Sequence, residues 1–84
     1  MAVFGKANRE VIQNLIGNMR KFNDLVEQEI VRMNERTENL GETWKDAQYQ
    51  QFHEYILDLS ESLRQDLRII QETADTLQNR VNEF

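Results

Sequence analysis

Tyr49, Ile56, Leu63, Ile70, Leu77 and Phe84 follow one another every seven residues without a break. A second row, half a heptad away, holds His53, Ser60, Leu67, Ala74 and Val81. A strict seven-residue repeat keeps one seam of a helix turned toward a partner and implies a left-handed supercoil. The chain contains no proline, so nothing in the pattern breaks it. The spacing predicts one long helix from about residue 44 to 82, and that helix needs something to pack against.

The first half of the chain supplies a candidate. Val11, Leu15, Met19, Phe22, Val26, Ile30, Met33 and Leu40 fall at steps of three, four and seven, with Thr37 filling the last gap. That is the helical period, and it predicts a helix over about 7–39, with the residues up to Gly5 as a fraying end. Doublets at Val11-Ile12, Leu15-Ile16, Leu25-Val26 and Ile30-Val31 widen the stripe. A helix with one neighbour needs a narrow seam, and a wide one suits two neighbours. Met19 and Met33 lie on the stripe and read as core filling. Gly17 lies inside the pattern at roughly 1 kcal/mol below alanine, which fits either a close helix approach or plain tolerance.

Between the helices, Leu40-Gly41 reads as a stop, because glycine reaches the left-handed conformation that closes a helix. Thr43 reads as the next N-cap, with Asp46 three residues on reaching back as its capping-box partner. A stop and a start this close leave a tight turn over 40–43. The chain is thus expected to be one all-α domain over residues 1–84, an antiparallel αα-hairpin. A chain of 84 residues without cysteine lacks both a large core and a disulfide. A second hairpin would cover the outer half of each stripe, giving a four-helix-bundle dimer with a two-fold axis. The seam expected to build hairpin and dimer is Val11, Leu15, Met19, Phe22, Val26, Tyr49, Ile56, Leu63, Ile70 and Leu77.

Charge and composition remove whole classes of function. Net charge is −5, with residues 1–40 balanced and residues 41–84 setting Lys45, Arg64, Arg68 and Arg80 against nine acids. An acidic face repels phosphate backbones, so nucleic acid is disfavoured as a partner. No apolar run reaches 18 residues, so no membrane insertion is expected, and mixed or acidic polar faces argue against lying on a membrane. The N-terminal Met1-Ala2-Val3-Phe4-Gly5-Lys6 lacks the apolar region of a cleavable signal peptide. Pairs such as Glu61–Arg64 are expected on the exposed face, worth a few tenths of a kcal/mol at best.

Chemistry finds no foothold. His53 is the only histidine, and its place in the second heptad row makes it a half-buried seam residue rather than a general base. Glu54 points about 100° away from it, so no metal-binding pair forms with the facing helix. Ser60 and Ser62, the only serines, lie inside the helix, and there is no glycine-rich phosphate loop. No enzyme, metal or cofactor is expected.

Trp44, the small Ala47 and the aromatic Phe52, in the turn of a short two-helix chain, resemble the WXG100 (ESAT-6-like) family of type VII secretion-associated helical hairpins. Almost the whole chain takes part in the resemblance. The family has Trp-x-Gly where this chain has Trp44-Lys45-Asp46. The resemblance implies a non-enzymatic secreted substrate, carrier or structural component acting through helix-bundle contacts and leaving the cell without a cleaved signal peptide. It implies a homodimer, or a heterodimer with a related small protein, and a secretion ATPase or larger toxin as further partners. Trp44, Asp46 and Phe52 become the turn and recognition residues, Thr43 and Gly41 the capping residues. The indole also suits a plainer role, covering the end of the inter-helix groove. Exported relatives often carry a Tyr-x-x-x-Asp/Glu tail within the pair. Here Tyr49 is followed four residues on by His53 and Tyr55 by Leu59, so a partner would have to supply it. The reading from another class is a cytoplasmic adaptor, chaperone or immunity-type interaction protein.

Overall fold

The computed structural model describes residues 6–83. Expectations for the first five residues and for Phe84 lie outside the described residues. Two helices fill the rest: α1, Lys6–Leu40, and α2, Ala47–Asn82, antiparallel to each other. They form a rod with Cα extents of 62 × 15 × 12 Å.

The seam on α2 is the pair of heptad rows read from the sequence. Tyr49, Ile56, Ser60, Leu67, Ala74 and Val81 are buried, while His53, Leu63, Ile70 and Leu77 are half-buried. On α1 the seam is rotated from its expected position. Ile16, Ile30 and Thr37 are buried, with Ile12, Met19, Asn23, Val26, Met33 and Asn34 half-buried beside them. Val11, Leu15 and Phe22 are 66, 49 and 51% exposed and do not build the hairpin's seam. The row that faces α2 is Ile16, Asn23, Ile30 and Thr37, again seven residues apart. Two of its four members are polar, so a count of apolar residues slid one position around the helix and chose the flank.

The polar groups at the seam are satisfied in part, Asn23 Oδ1 being left without a partner and the Thr37 hydroxyl donating to the Met33 carbonyl of its own helix. Asn23 Nδ2 donates to the Leu67 carbonyl at 2.8 Å, and Asn34 Nδ2 donates to Ser60 Oγ at 2.9 Å. Ser60 Oγ donates in turn to the Ile56 carbonyl at 2.8 Å. A buried hydroxyl or amide costs stability unless it is hydrogen-bonded, and these partners offset that cost for Ser60 and for the two amide N–H groups. Ile16, Ala74 and Val81 close the open end, with Ile12, Met19 and Leu77 packed on them.

The two flanks of the hairpin differ in chemistry. Three pairs cross between the helices along one flank: Arg20–Asp75 at 3.1 Å, Arg64–Glu27 at 3.2 Å and His53–Glu38 at 2.6 Å. Arg64 thus reaches across to α1 rather than pairing with Glu61 on its own helix. Helical periodicity carries Val11, Leu15, Phe22 and Leu40 of α1, with Phe52 and Leu59 of α2, to the opposite flank. There a groove runs between the helices over Met33, Leu40, Phe52 and Ile56, with the charged Glu29, Arg32 and Arg36 also lining it.

Candidate functional site

The turn is built differently from its sequence reading. Helix α2 begins at Ala47, not Trp44, because Asp46 is its N-cap. Asp46 is extended (φ −101°, ψ 179°), and its carboxylate accepts from the Tyr49 N–H at 3.1 Å. Thr43 caps nothing on α2. Its hydroxyl donates back to the Leu40 carbonyl at 3.3 Å, and the Trp44 N–H reaches the same carbonyl at 2.9 Å. The expected capping box therefore does not form: a carboxylate at the helix start accepts more strongly than a hydroxyl three residues earlier. The turn grows to 41–46.

Gly41 ends α1 without a left-handed backbone, since no described glycine has positive φ. Its N–H donates to the Thr37 and Glu38 carbonyls at 3.2 and 3.1 Å. The reason for glycine is space. A Cβ here would stand 2.5 Å from the Tyr49 hydroxyl oxygen and 2.7 Å from Cζ. That hydroxyl donates to the Thr37 carbonyl at 2.7 Å, pinning the start of α2 to the end of α1.

An aromatic cluster lies around this pin. Trp44 meets Tyr49 edge-on with ring centroids 5.8 Å apart, and leans on Phe52 at 6.1 Å. Tyr49 in turn leans on the His53 ring at 5.7 Å, and His53 Nε2 meets Glu38 Oε1. Trp44 is half-buried, Tyr49 buried and Phe52 40% exposed. The turn thus carries an apolar surface on a rigid support. The Asp46 carboxyl is held below the usual carboxylate range, first by the Tyr49 N–H and then by a hydrogen bond from the Trp44 side chain. The Gln48 N–H adds to this, against a partial loss of solvent. Burial pushes the Tyr49 phenol up, and the nearby Glu38 charge pushes it further.

Of the residues singled out in the sequence, Trp44, Asp46 and Phe52 come together at the turn with Gly41 close by, while Thr43 faces back along α1. Met19, Val26, Tyr49, Ile56, Leu63, Ile70 and Leu77 lie in the seam, buried or half-buried. Sequence reasoning passed over Asn23, Asn34 and the Tyr49–Thr37 bond. A half-heptad search admitting Asn and Thr at core positions would have found the first two.

Comparison with known families settles the resemblance. The profile described as "WXG100: Proteins of 100 residues with WXG" matches residues 6–84. The chain belongs to the WXG100 family. Membership makes it a small, non-enzymatic helical protein associated with type VII secretion. No curated protein and no solved structure matches the chain at a significant level. Among the described residues, no helix is long and apolar enough to cross a membrane, and no group of His, Cys, Asp or Glu side chains gathers as a metal site.

Proposed function

We propose that this WXG100 chain is an exported substrate or carrier of a type VII-like secretion system, working as a four-helix bundle formed with a second copy of itself. The observation that carries the reading is the uncovered flank. Val11, Leu15 and Phe22 on α1 and Phe52, Tyr55 and Leu59 on α2 are all exposed, on a family member whose relatives dimerise. Apolar area of this kind, left in water, forgoes about 25 cal/mol per Å². The opposite flank carries the three ion pairs beside exposed Val31 and Leu57, and the flank of Phe22 and Phe52 is the one assigned here to the partner layer. Trp44 and Phe52 at the turn are the residues on which recognition by the export machinery rests, large aromatics being the usual anchors of interfaces. A heterodimer with a related small protein uses the same flank.

Sedimentation equilibrium tests the assembly. The wild type is expected at ~20 kDa, twice the 10.0 kDa chain, across an interface above roughly 1,000 Å². Phe22→Asp should return it to the monomer mass; a wild type that is monomeric and fully helical at micromolar concentration removes the dimer. Export is tested by fractionating cells with and without the secretion ATPase. Protein that stays in the cytoplasm in both leaves the hairpin intact and gives the function to the adaptor reading.

A further inference from the structure

We infer that Tyr49 is a positioning residue for Trp44: its phenol, fastened to the end of α1, sets the indole in place, so that Trp44 is presented only by a hairpin closed at the turn. A seam position alone does not call for tyrosine here. The next members of the same heptad row, Ile56, Leu63, Ile70 and Leu77, are aliphatic. What an aliphatic side chain cannot supply is a hydroxyl that reaches α1 and a ring edge that meets the indole.

Tyr49 is held at both ends. Its N–H donates to the Asp46 carboxylate at 3.1 Å, and its hydroxyl donates to the Thr37 carbonyl at 2.7 Å. That carbonyl lies in the last turn of α1, where its other partner is the Gly41 N–H at 3.2 Å, shared with Glu38. The ring between these ends fills the space above Gly41, where a Cβ would stand 2.5 Å from the phenol oxygen. Against this fixed ring the indole packs edge-on with centroids 5.8 Å apart, an arrangement in which aromatic rings attract. Phe52 leans on the indole at 6.1 Å. The Trp44 backbone hangs from the same helix end, its N–H donating to the Leu40 carbonyl at 2.9 Å.

The indole thus depends on both helices. Thr37 and Leu40 belong to α1, and Tyr49 and Phe52 to α2. When the helix ends draw apart, the phenol loses its carbonyl and the indole loses a fixed neighbour. A surface that docks on Trp44 together with Phe52 and Leu40, each 40% exposed, therefore reads a closed hairpin and not merely the presence of a tryptophan. An anchor ordered before contact also loses less freedom on binding than one that must be ordered by it. That consequence rests on the recognition role proposed above for Trp44; the positioning itself does not.

The experiment uses the full chain and its single tryptophan. Near-ultraviolet circular dichroism in the tryptophan band and acrylamide quenching read the indole, and far-ultraviolet melting reads the helices. Tyr49→Phe keeps the ring and removes the hydroxyl. Below its melting range it should keep the helical signal, while the ratio of loosened to seated indole rises roughly fivefold, the size of one lost hydrogen bond. The near-ultraviolet signal weakens and quenching strengthens accordingly. Gly41→Ala, which displaces the ring and leaves its chemistry intact, should do the same. Ile16→Ala, packed with Ala74 and Val81 at the far end of the seam, should lower the melt and leave the indole signal in place. A wild-type indole signal in either turn variant that keeps its helices overturns the inference, as does an equal loss in Ile16→Ala at matched helical content. Export of a Trp44→Phe variant at the wild-type level overturns the recognition role instead, while the spectroscopic result still decides what Tyr49 does.

Discussion

The ring of Tyr49 occupies the space that a side chain on Gly41 would need. A Cβ built there would approach the phenol oxygen to 2.5 Å and Cε2 to 2.9 Å. The two residues come from opposite sides of the turn, and the phenol is held in place by its bond to the Thr37 carbonyl at 2.7 Å. The end of the hairpin is closed by this fit of a missing side chain to a large one.

Gly41→Ala should therefore destabilise the protein, lowering Tm by roughly 5–10 °C for a domain of this size. The decisive comparison is the cycle with Tyr49→Ala. Once the ring is gone, the alanine at position 41 no longer meets the phenol and its penalty should vanish or reverse. Equal penalties in both backgrounds would place the fault in the backbone and not in the fit.

Gly17 gives the opposite expectation. No atom stands within 4 Å of a Cβ built on it, and it lies well inside α1. Gly17→Ala should raise stability by about 1 kcal/mol, the ordinary difference in helix propensity. Denaturant melts of the purified protein would measure it. A loss of stability would mean that a second chain approaches this face of α1.

Asn23 is half satisfied. Its Nδ2 donates across the seam, but its buried Oδ1 has no partner. Asn23→Leu should stabilise the hairpin by about 1–3 kcal/mol, because an orphaned buried acceptor is replaced by apolar contact. Asn34→Leu should do less well, since it strips Ser60 of its donor from the facing helix.

The cap has a pH signature. The carboxyl of Asp46 is depressed in the folded chain by the Tyr49 N–H and the Trp44 side chain. A depressed folded value means stability that is fully present above the unfolded carboxylate value and lost as pH falls through the folded one. Wild type should therefore melt above Asp46→Asn near neutral pH, and the gap should close on the acid side of the ordinary carboxylate range. Melts run from neutral to strongly acid solution would show it, and a gap that persists unchanged in acid would contradict it.

How far the fold could be read in advance followed from which groups carry the packing. On α2 the buried seam members are apolar or small, so periodicity found every one of them. On α1 the seam passes through Asn23 and Thr37, and hydrophobicity alone pointed instead to Val11, Leu15 and Phe22 on the flank. The stripe was rightly read as wide, and its two halves turn out to face different surroundings. At the turn, Thr43 and Asp46 stand at capping-box spacing, yet either can start a helix, and in the folded turn the carboxylate prevails. The pin from Tyr49 to Thr37 joins residues whose meeting depends on the length of the turn, which no local pattern specifies.

The rod's proportions have a bearing on transit. A single hairpin is 62 Å long and only 15 by 12 Å across at its Cα atoms. Seen end-on, a doubled hairpin is two helix diameters on a side, roughly 20–25 Å. A conduit of that bore would admit the two-hairpin bundle proposed above lengthwise, with no need to unthread it.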